Sequence, residues 1–391
     1  MSTHHLTSVL LLLVTSSVAA ATSTEPAGAR HSWTSESGAF KGVVKSTSPA
    51  SVDDTDSDPK ISWSVGTKRN LACTLYSESV EPAQFLLDLN AGILSQRPSV
   101  TKRSTRGVSA GQLHGYPYLA LQTDYQADAA GTLKSYLIEI PFGAVACTHD
   151  EAGHDTEVLR HLDFFMKHIE VPTNADLRRT HRVFLIEVNA QPVGFEQQTV
   201  RRAPEGKLID TRRASLLIPH GPGAYLPVDK ETVETLAFNG ALLKQKTTMK
   251  SAGQEQSFEV ETSNHEDFSG TGVVNGKALT VQFKVPSHSL MGTRTASHAL
   301  GQTLKQRGGR SPITFTVYNP YLHQQGPTQH VSKLTSKLPT GGFMLDETLG
   351  KQSQKTTRTN KGHILTITSA LGPFTMETTR VYSKDYPRKG R

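Results

Sequence analysis

Apolar and polar positions alternate most clearly between Val183 and Val200, VFLIEVNAQPVGFEQQTV, and this pattern predicts a β-hairpin broken by Pro192-Val193-Gly194. Upstream, Ile61 to Val65 alternates as a half-buried strand does, and Leu71 to Tyr76 continues as another. Pro82 then stands where a helix can begin, because its missing N–H is not needed in the first turn. Leu86, Leu89 or Asn90, Ile93 and Leu94 follow at helical spacing. A polar loop runs to Gly115, and Tyr118 to Tyr125 and Leu133 to Phe142 form two strands joined around Ala129-Ala130-Gly131. Val158, Leu162, Phe165 and Ile169 make the apolar stripe of a second helix, Asp155 to Ile169.

Beyond Val200 the pattern is almost entirely that of strands. Leu208 to Ile218, Val233 to Phe238 and Ala241 to Met249 follow, the last two joined by Asn239-Gly240. Asn275-Gly276 joins Thr271 to Val274 with Ala278 to Val285; both residues of an Asn-Gly pair tolerate positive φ, the requirement of a tight hairpin. A helix is expected over Ala296 to Gln306, closed by Gly308-Gly309, and strands resume at Ile313 to Tyr318, His330 to Leu334, Ile364 to Ser369 and Phe374 to Tyr382. The expected fold class is therefore an α+β N-terminal domain followed by a mainly antiparallel β domain, a curled sheet, half-barrel or barrel that hides its edges. Expected boundaries are a flexible arm at 22–58, the α+β domain at 59–171, an arginine-rich linker at 172–182, the β domain at 183–383 and a basic tail at 384–391.

Composition changes this picture in three places. The chain has 391 residues, 36% hydrophobic and 20% charged, ordinary for a globular protein of two domains. Residues 1–21 read as a signal peptide: Leu10 to Val14 give an apolar core, and Val18-Ala19-Ala20-Ala21 the small residues a peptidase recognises. The expected location is secreted or periplasmic, with no transmembrane segment in the mature chain. Cys73 and Cys147 are the only cysteines, and an oxidising compartment favours a disulfide between them. The net charge of +7 gathers at Arg97, Lys102, Arg103 and Arg106, at Arg178, Arg179 and Arg182, and at Arg201, Arg202, Arg212 and Arg213, clusters that suit anionic lipid headgroups, acidic glycans or nucleic acid, the competing reading being a solvated basic surface. No nucleic-acid-binding motif accompanies these clusters, so no nucleic acid partner is expected.

Few residues point to chemistry. Gly107-Val108-Ser109-Ala110-Gly111 matches G-x-S-x-G, but a nucleophile turn must follow a buried strand and open a helix, and the flanking residues are polar. His154, Glu157 and His161 fall on one side of the second helix at a spacing that suits zinc, and the competing reading is a polar flank. Asp54, Asp56 and Asp58 begin like a calcium loop, but Pro59 stands where glycine is required. Tyr318 and Tyr321 are candidate ligand-lining residues. No cofactor and no catalytic residue are expected.

The order strand, helix, loop, strand, strand, helix over about 30–171 resembles the small domains of PsbP-like families. The strand, the Gln191 to Gly194 break, a second strand and a meander of hairpins, over about 182–383, are similar to periplasmic β-rich conserved secreted domains and to half-barrel lipoprotein carriers. That resemblance implies a concave apolar face that holds a lipid-like or peptide-like ligand. The expected function is a non-catalytic envelope protein binding a lipid-like or other envelope ligand. The alternatives are an envelope scaffold that docks a protein partner, and a hydrolase or metal-dependent enzyme.

Overall fold

The computed structural model of the protein describes residues 25–385, apart from 37, 39, 55–57, 66–68, 98, 142, 151–154, 171–177, 293–295, 297–298, 301–302, 305, 307–311 and 319–325. The expected signal peptide, 1–21, therefore lies outside the described residues. The stretch expected as an arm carries the hairpin β1 (Ala29–Thr34) and β2 (Lys41–Ser46), and then β3 (Ser51–Asp53). There follow β4 (Lys60–Val65), β5 (Arg69–Tyr76), α1 (Pro82–Ser95), β6 (Lys102–Leu113), β7 (Tyr116–Gln126), β8 (Ala130–Ile140), β9 (Gly143–His149) and α2 (Asp155–His168). The sheet runs β3-β4-β5-β9-β8-β7-β6.

Its two faces are covered differently. On one, α2 and the β1–β2 hairpin close a core in which Phe165 packs between Trp33 and Trp63, at ring centroid distances of 5.9 Å and 5.2 Å. Cys73 and Cys147 are directly paired across β5 and β9 in this core, and they form a disulfide. On the other face lies α1. Edge strand β6 was expected as a loop, and its charges explain why: Lys102, Arg103 and Arg106 block further pairing at an open edge while leaving no apolar alternation. Ser109 lies in mid-strand opposite Ala120, so no turn exposes it as a nucleophile.

The remaining strands are β10 (Arg178–Val188), β11 (Gln191–Arg202), β12 (Leu208–Gly221), β13 (Ala224–Leu236), β14 (Leu242–Ser251), β15 (Gln254–Thr262), β16 (Asp267–Val274), β17 (Lys277–Lys284), β18 (Leu290–Met291), β19 (Ile313–Val317), β20 (Thr328–Lys337), β21 (Phe343–Leu349), β22 (Gln352–Arg358), β23 (Ile364–Leu371) and β24 (Phe374–Asp385). They form one 15-stranded sheet in which β24 returns to pair with β10. A bridge between Met291 and Ala241, just before β14, joins the far edge back to the middle of the sheet, so that β10–β14 and β18–β24 make a ring. The hairpin of β10 and β11 turns at Asn189-Ala190, both left-handed (φ 50° and 60°), rather than at Pro192-Val193-Gly194, which lies within β11 beside a register shift. Asn275-Gly276 turns as expected, with φ of 51° and 71°. Of the expected helix 296–306, the described residues are helical. Leu300 and Leu304 pack on Ile313, Phe343 and Leu345.

The expected α+β domain, distinct from a β domain, is not what the chain forms. The described structure is nearly all β, with two complete α-helices. Moreover, α1 belongs to neither part alone: Ala83 and Leu86 share one apolar cluster with Leu119, Leu121 and Leu137 on the smaller sheet and with Phe195 and Leu217 on the ring. The junction is also polar and specific. Glu81 at the N-cap of α1 makes no side-chain capping bond, and Asp229 on β13 accepts from the Ala83 and Gln84 amides at 3.0 Å and 3.1 Å in its place. Arg213 reaches across to Glu139 at 3.1 Å while also holding Glu231 at 2.6 Å. The apolar periodicity of a helix reports that it has one buried face, but not that two sheets bury it.

Candidate functional site

Strand parity identifies the inside of the ring. Phe195, Leu217, Arg213 and Asp229 meet the smaller sheet and α1, so the opposite face of β11, β12 and β13 looks inward. That inward face carries charge. Gln198 donates to both oxygens of Asp210 (3.1 Å and 2.9 Å), Arg212 meets Glu234 at 3.2 Å, and Gln245 donates to Glu234 at 2.9 Å. Arg182 reaches Gln198 at 3.5 Å and donates to His363 Nδ1 at 3.2 Å. On the far wall Glu347 accepts from Arg358 (2.7 Å), from Gln354 (3.1 Å) and lies 3.3 Å from His330 Nε2, and Arg358 also donates to the Gly362 carbonyl, next to His363. These side chains form a polar belt from β14 through β10 to β20.

The belt divides two unlike halves. Towards the turns at 237–241 and 338–342 the interior is packed: Leu236, Leu242, Leu290 and Tyr318 fill one side, and Leu300, Leu304, Phe343 and Leu345 the other. Towards the turns at 189–190, 221–223 and 372–373 the inward residues become half-buried. On β12 these are Ala214, Leu216 and Ile218; on β13, Lys230, Val228 and Leu226; Met249, Ile367 and Met376 continue the wall. Arg212 shows what that means. Its side chain meets Glu234 on the inward face and keeps 24% of its surface exposed, so it is not packed over as Leu242 and Leu345 are. The arrangement is a cup with a charged floor and an upper wall mostly of apolar side chains.

The floor perturbs its own titrations. Burial works against the charge of Arg212, but Glu234, Asp210 and Glu196 outweigh it and raise its pKa. Burial lowers the Lys230 ammonium, with Glu196 drawing it up and Arg212 pushing it further down. Arg182 and Arg380 are both lowered by burial, against a partial attraction to Asp385. For Glu347, burial would raise the carboxyl, but the hydrogen bond from His330 and the charge of Arg358 prevail and bring it down to about 2.

The residues singled out in the sequence lie elsewhere. Tyr318 is buried in the packed half, stacked on Phe283 at 5.4 Å and near Phe258 at 6.3 Å, with its hydroxyl raised to about 12 by burial. Tyr321 and His154 lie outside the described residues. Glu157 and His161 share α2 and line a cavity of about 450 Å³ with Glu25, Pro26 and Thr156. His161 is buried and its pKa lowered by burial, and among the described residues no three potential ligands gather about a metal position. The residues missed were the inward charges. Along the sequence Arg212 and Arg213 form one basic cluster, yet neighbours on a strand point to opposite faces, and parity alone separates them.

Among the described residues no helix is long and apolar enough to cross a membrane. No family model matches the chain, and no curated protein matches it. Solved structures similar to it include a β-barrel-like protein of domain of unknown function DUF1849 from Brucella abortus, at 10% identity and TM-score 0.42 over 54% of this chain and 99% of that one. Another is cyanobacterial PsbP from Synechocystis sp. PCC 6803, at 8% identity and TM-score 0.27 over 37% and 94%. A third is a DUF1089 family protein from Pseudomonas aeruginosa, at 11% identity and TM-score 0.24 over 50% and 95%. β-rich and PsbP-like structures, the two kinds of resemblance expected from the sequence, are thus both represented, at low identity and partial coverage.

Proposed function

We propose that the chain is a secreted or periplasmic, non-catalytic envelope protein whose ring of strands holds a lipid-like amphiphile, in the manner of a carrier. One observation supports this above the others: the inward face is filled at one end and half-exposed at the other, with apolar Leu216, Val228, Met249, Ile367 and Met376 above a charged floor. Apolar surface kept accessible inside a protein has no stabilising use until something covers it. The mixed wall corrects the expectation of a purely apolar concave face. It suits a molecule with both a chain and a polar head. The disulfide and the apolar leader of the sequence support the exported location.

Native mass spectrometry of the purified chain, followed by displacement of a fluorescent fatty-acid analogue, tests this reading. Co-purifying lipid and saturable displacement are the expected results. A protein that carries no lipid, binds no analogue and instead captures a protein partner through its outer surface would show the scaffold alternative to be right.

A further inference from the structure

We propose that Arg182 and Arg380, on neighbouring strands of the inward face, form an oxyanion site that takes the carboxylate or phosphate head of the amphiphile held in the cup. The inference rests on the cup reading and adds the chemistry of the ligand. Arg182 pairs with Ser383 in the β10–β24 ladder, and Arg380 pairs with Phe184, one inward position further along β10, so both guanidinium groups lie on the same face beside each other. Among the described residues, the side chain of Arg380 has no hydrogen-bond or ion-pair partner, although it is half-buried. Arg182 is 7% exposed, and its Nε is buried without a partner while its two Nη atoms are engaged by His363 and Gln198. Arg380 supplies the fork whose unengaged donors match the geometry of a carboxylate or phosphate, and Arg182 adds its charge beside it.

The surrounding charges leave this place short of an anion. Arg182, Arg212, Lys230 and Arg380 face inward against Glu196, Asp210 and Glu234. Glu234 is held by Arg212 and Gln245, Asp210 by Gln198, and Glu196 acts on Lys230 and Arg212. Two carboxylates attract the arginine pair: Asp385, 3.9 Å from Arg182 and 66% exposed at the strand end, acts on both arginines, and Asp210, already held by Gln198, acts on Arg182. Two enclosed like charges repel, and an anion between them relieves both. Burial that depresses both guanidinium groups is consistent with that deficit. Beside them Phe184 and Ile186 continue along β10, and Met376 and Ile367 lie above, where the chain of an amphiphile would rest.

The test uses the purified full chain and four probes: palmitate, hexadecyl phosphate, uncharged monopalmitoylglycerol and inorganic phosphate, each titrated by calorimetry. The anionic amphiphiles are expected to bind at least about tenfold more tightly than the uncharged one, the scale of a charge-assisted hydrogen bond. R380Q should remove that preference and leave the affinity for monopalmitoylglycerol unchanged. Because Arg380 has no side-chain bond to lose, R380Q should melt as the wild type does; R182Q, with the same readout, gives a second reading. Equal binding of charged and uncharged amphiphiles, unaffected by R380Q, would overturn the oxyanion site and leave the cup. Binding of no amphiphile would overturn the cup; the oxyanion site would then stand only if inorganic phosphate binds and R380Q abolishes it, and would fall if phosphate also fails.

Discussion

Replacing Arg358 by Met should reveal how strongly the belt holds the ring. Arg358 and Glu347 are each 1% exposed, and the guanidinium makes two bonds to one carboxylate oxygen, at 3.1 Å and 2.7 Å. Methionine fills similar volume but leaves Glu347 with Gln354 and His330 alone. Removing one member of a buried pair costs about 3–5 kcal/mol, because the other charge stays behind uncompensated. Proton linkage gives a figure for the carboxyl as a whole: Glu347 lies at about 2 against an ordinary 4.5, a stabilisation of roughly 3 kcal/mol to which the hydrogen bond from His330 and the charge of Arg358 both contribute. The folded value is the depressed one, so this stabilisation is complete above about pH 4.5 and is lost as pH falls towards 2. Urea denaturation at neutral pH should therefore show R358M less stable by about 3 kcal/mol, with a weaker dependence on acid. The double variant E347L/R358M, which removes both charges, should recover most of the loss. A loss under about 1 kcal/mol in R358M, or a double variant no better than the single, would refute the claim that the pair is a tightly coupled buried unit.

Two further outcomes follow from the junction and the core. D229A should cost about 1–2 kcal/mol, because the amides of Ala83 and Gln84 lose their cap, and hydrogen exchange should accelerate in the first turn of α1 ahead of the rest of that helix. Replacing Cys73 and Cys147 together by alanine should lower stability by about 4 kcal/mol in the chain-entropy model, since the bridge closes a separation of 74 residues; equal urea midpoints for the bridged and alanine forms would contradict it.

What the sequence made legible were elements whose pattern depends on one buried face. Val158, Leu162 and Phe165 placed α2, and the Asn275-Gly276 pair placed the β16–β17 turn. Strands without such a face escaped notice. β22, QSQKTTR, has no apolar residue and is held by ladders on both sides, and β15, QEQSFEVET, has only Phe258 and Val260 to bury, too short a stripe to stand out among polar neighbours. β6 is similar: its outer edge is left open and charged. The site was hidden for a related reason. Asp210, Glu234, Glu347 and Arg358 occur as scattered charges on separate strands, and only the register of neighbouring strands brings their partners together.

That register is fixed from both sides of the wall. A slip of one residue in β12 would turn Arg213, Ser215 and Leu217 inward and send Asp210, Arg212 and Ala214 towards α1 and the smaller sheet. The apolar contact of Leu217 and Phe195 with α1 would be lost at the same moment as the Gln198–Asp210 and Arg212–Glu234 contacts. A strand buried on one face needs only an apolar stripe to set its register. Here the outer stripe docks the smaller sheet, and the inner face is free to carry charge, because the apolar surface that fixes β12 is supplied from outside the ring. The junction through α1 is therefore what allows the floor of the cup to be polar.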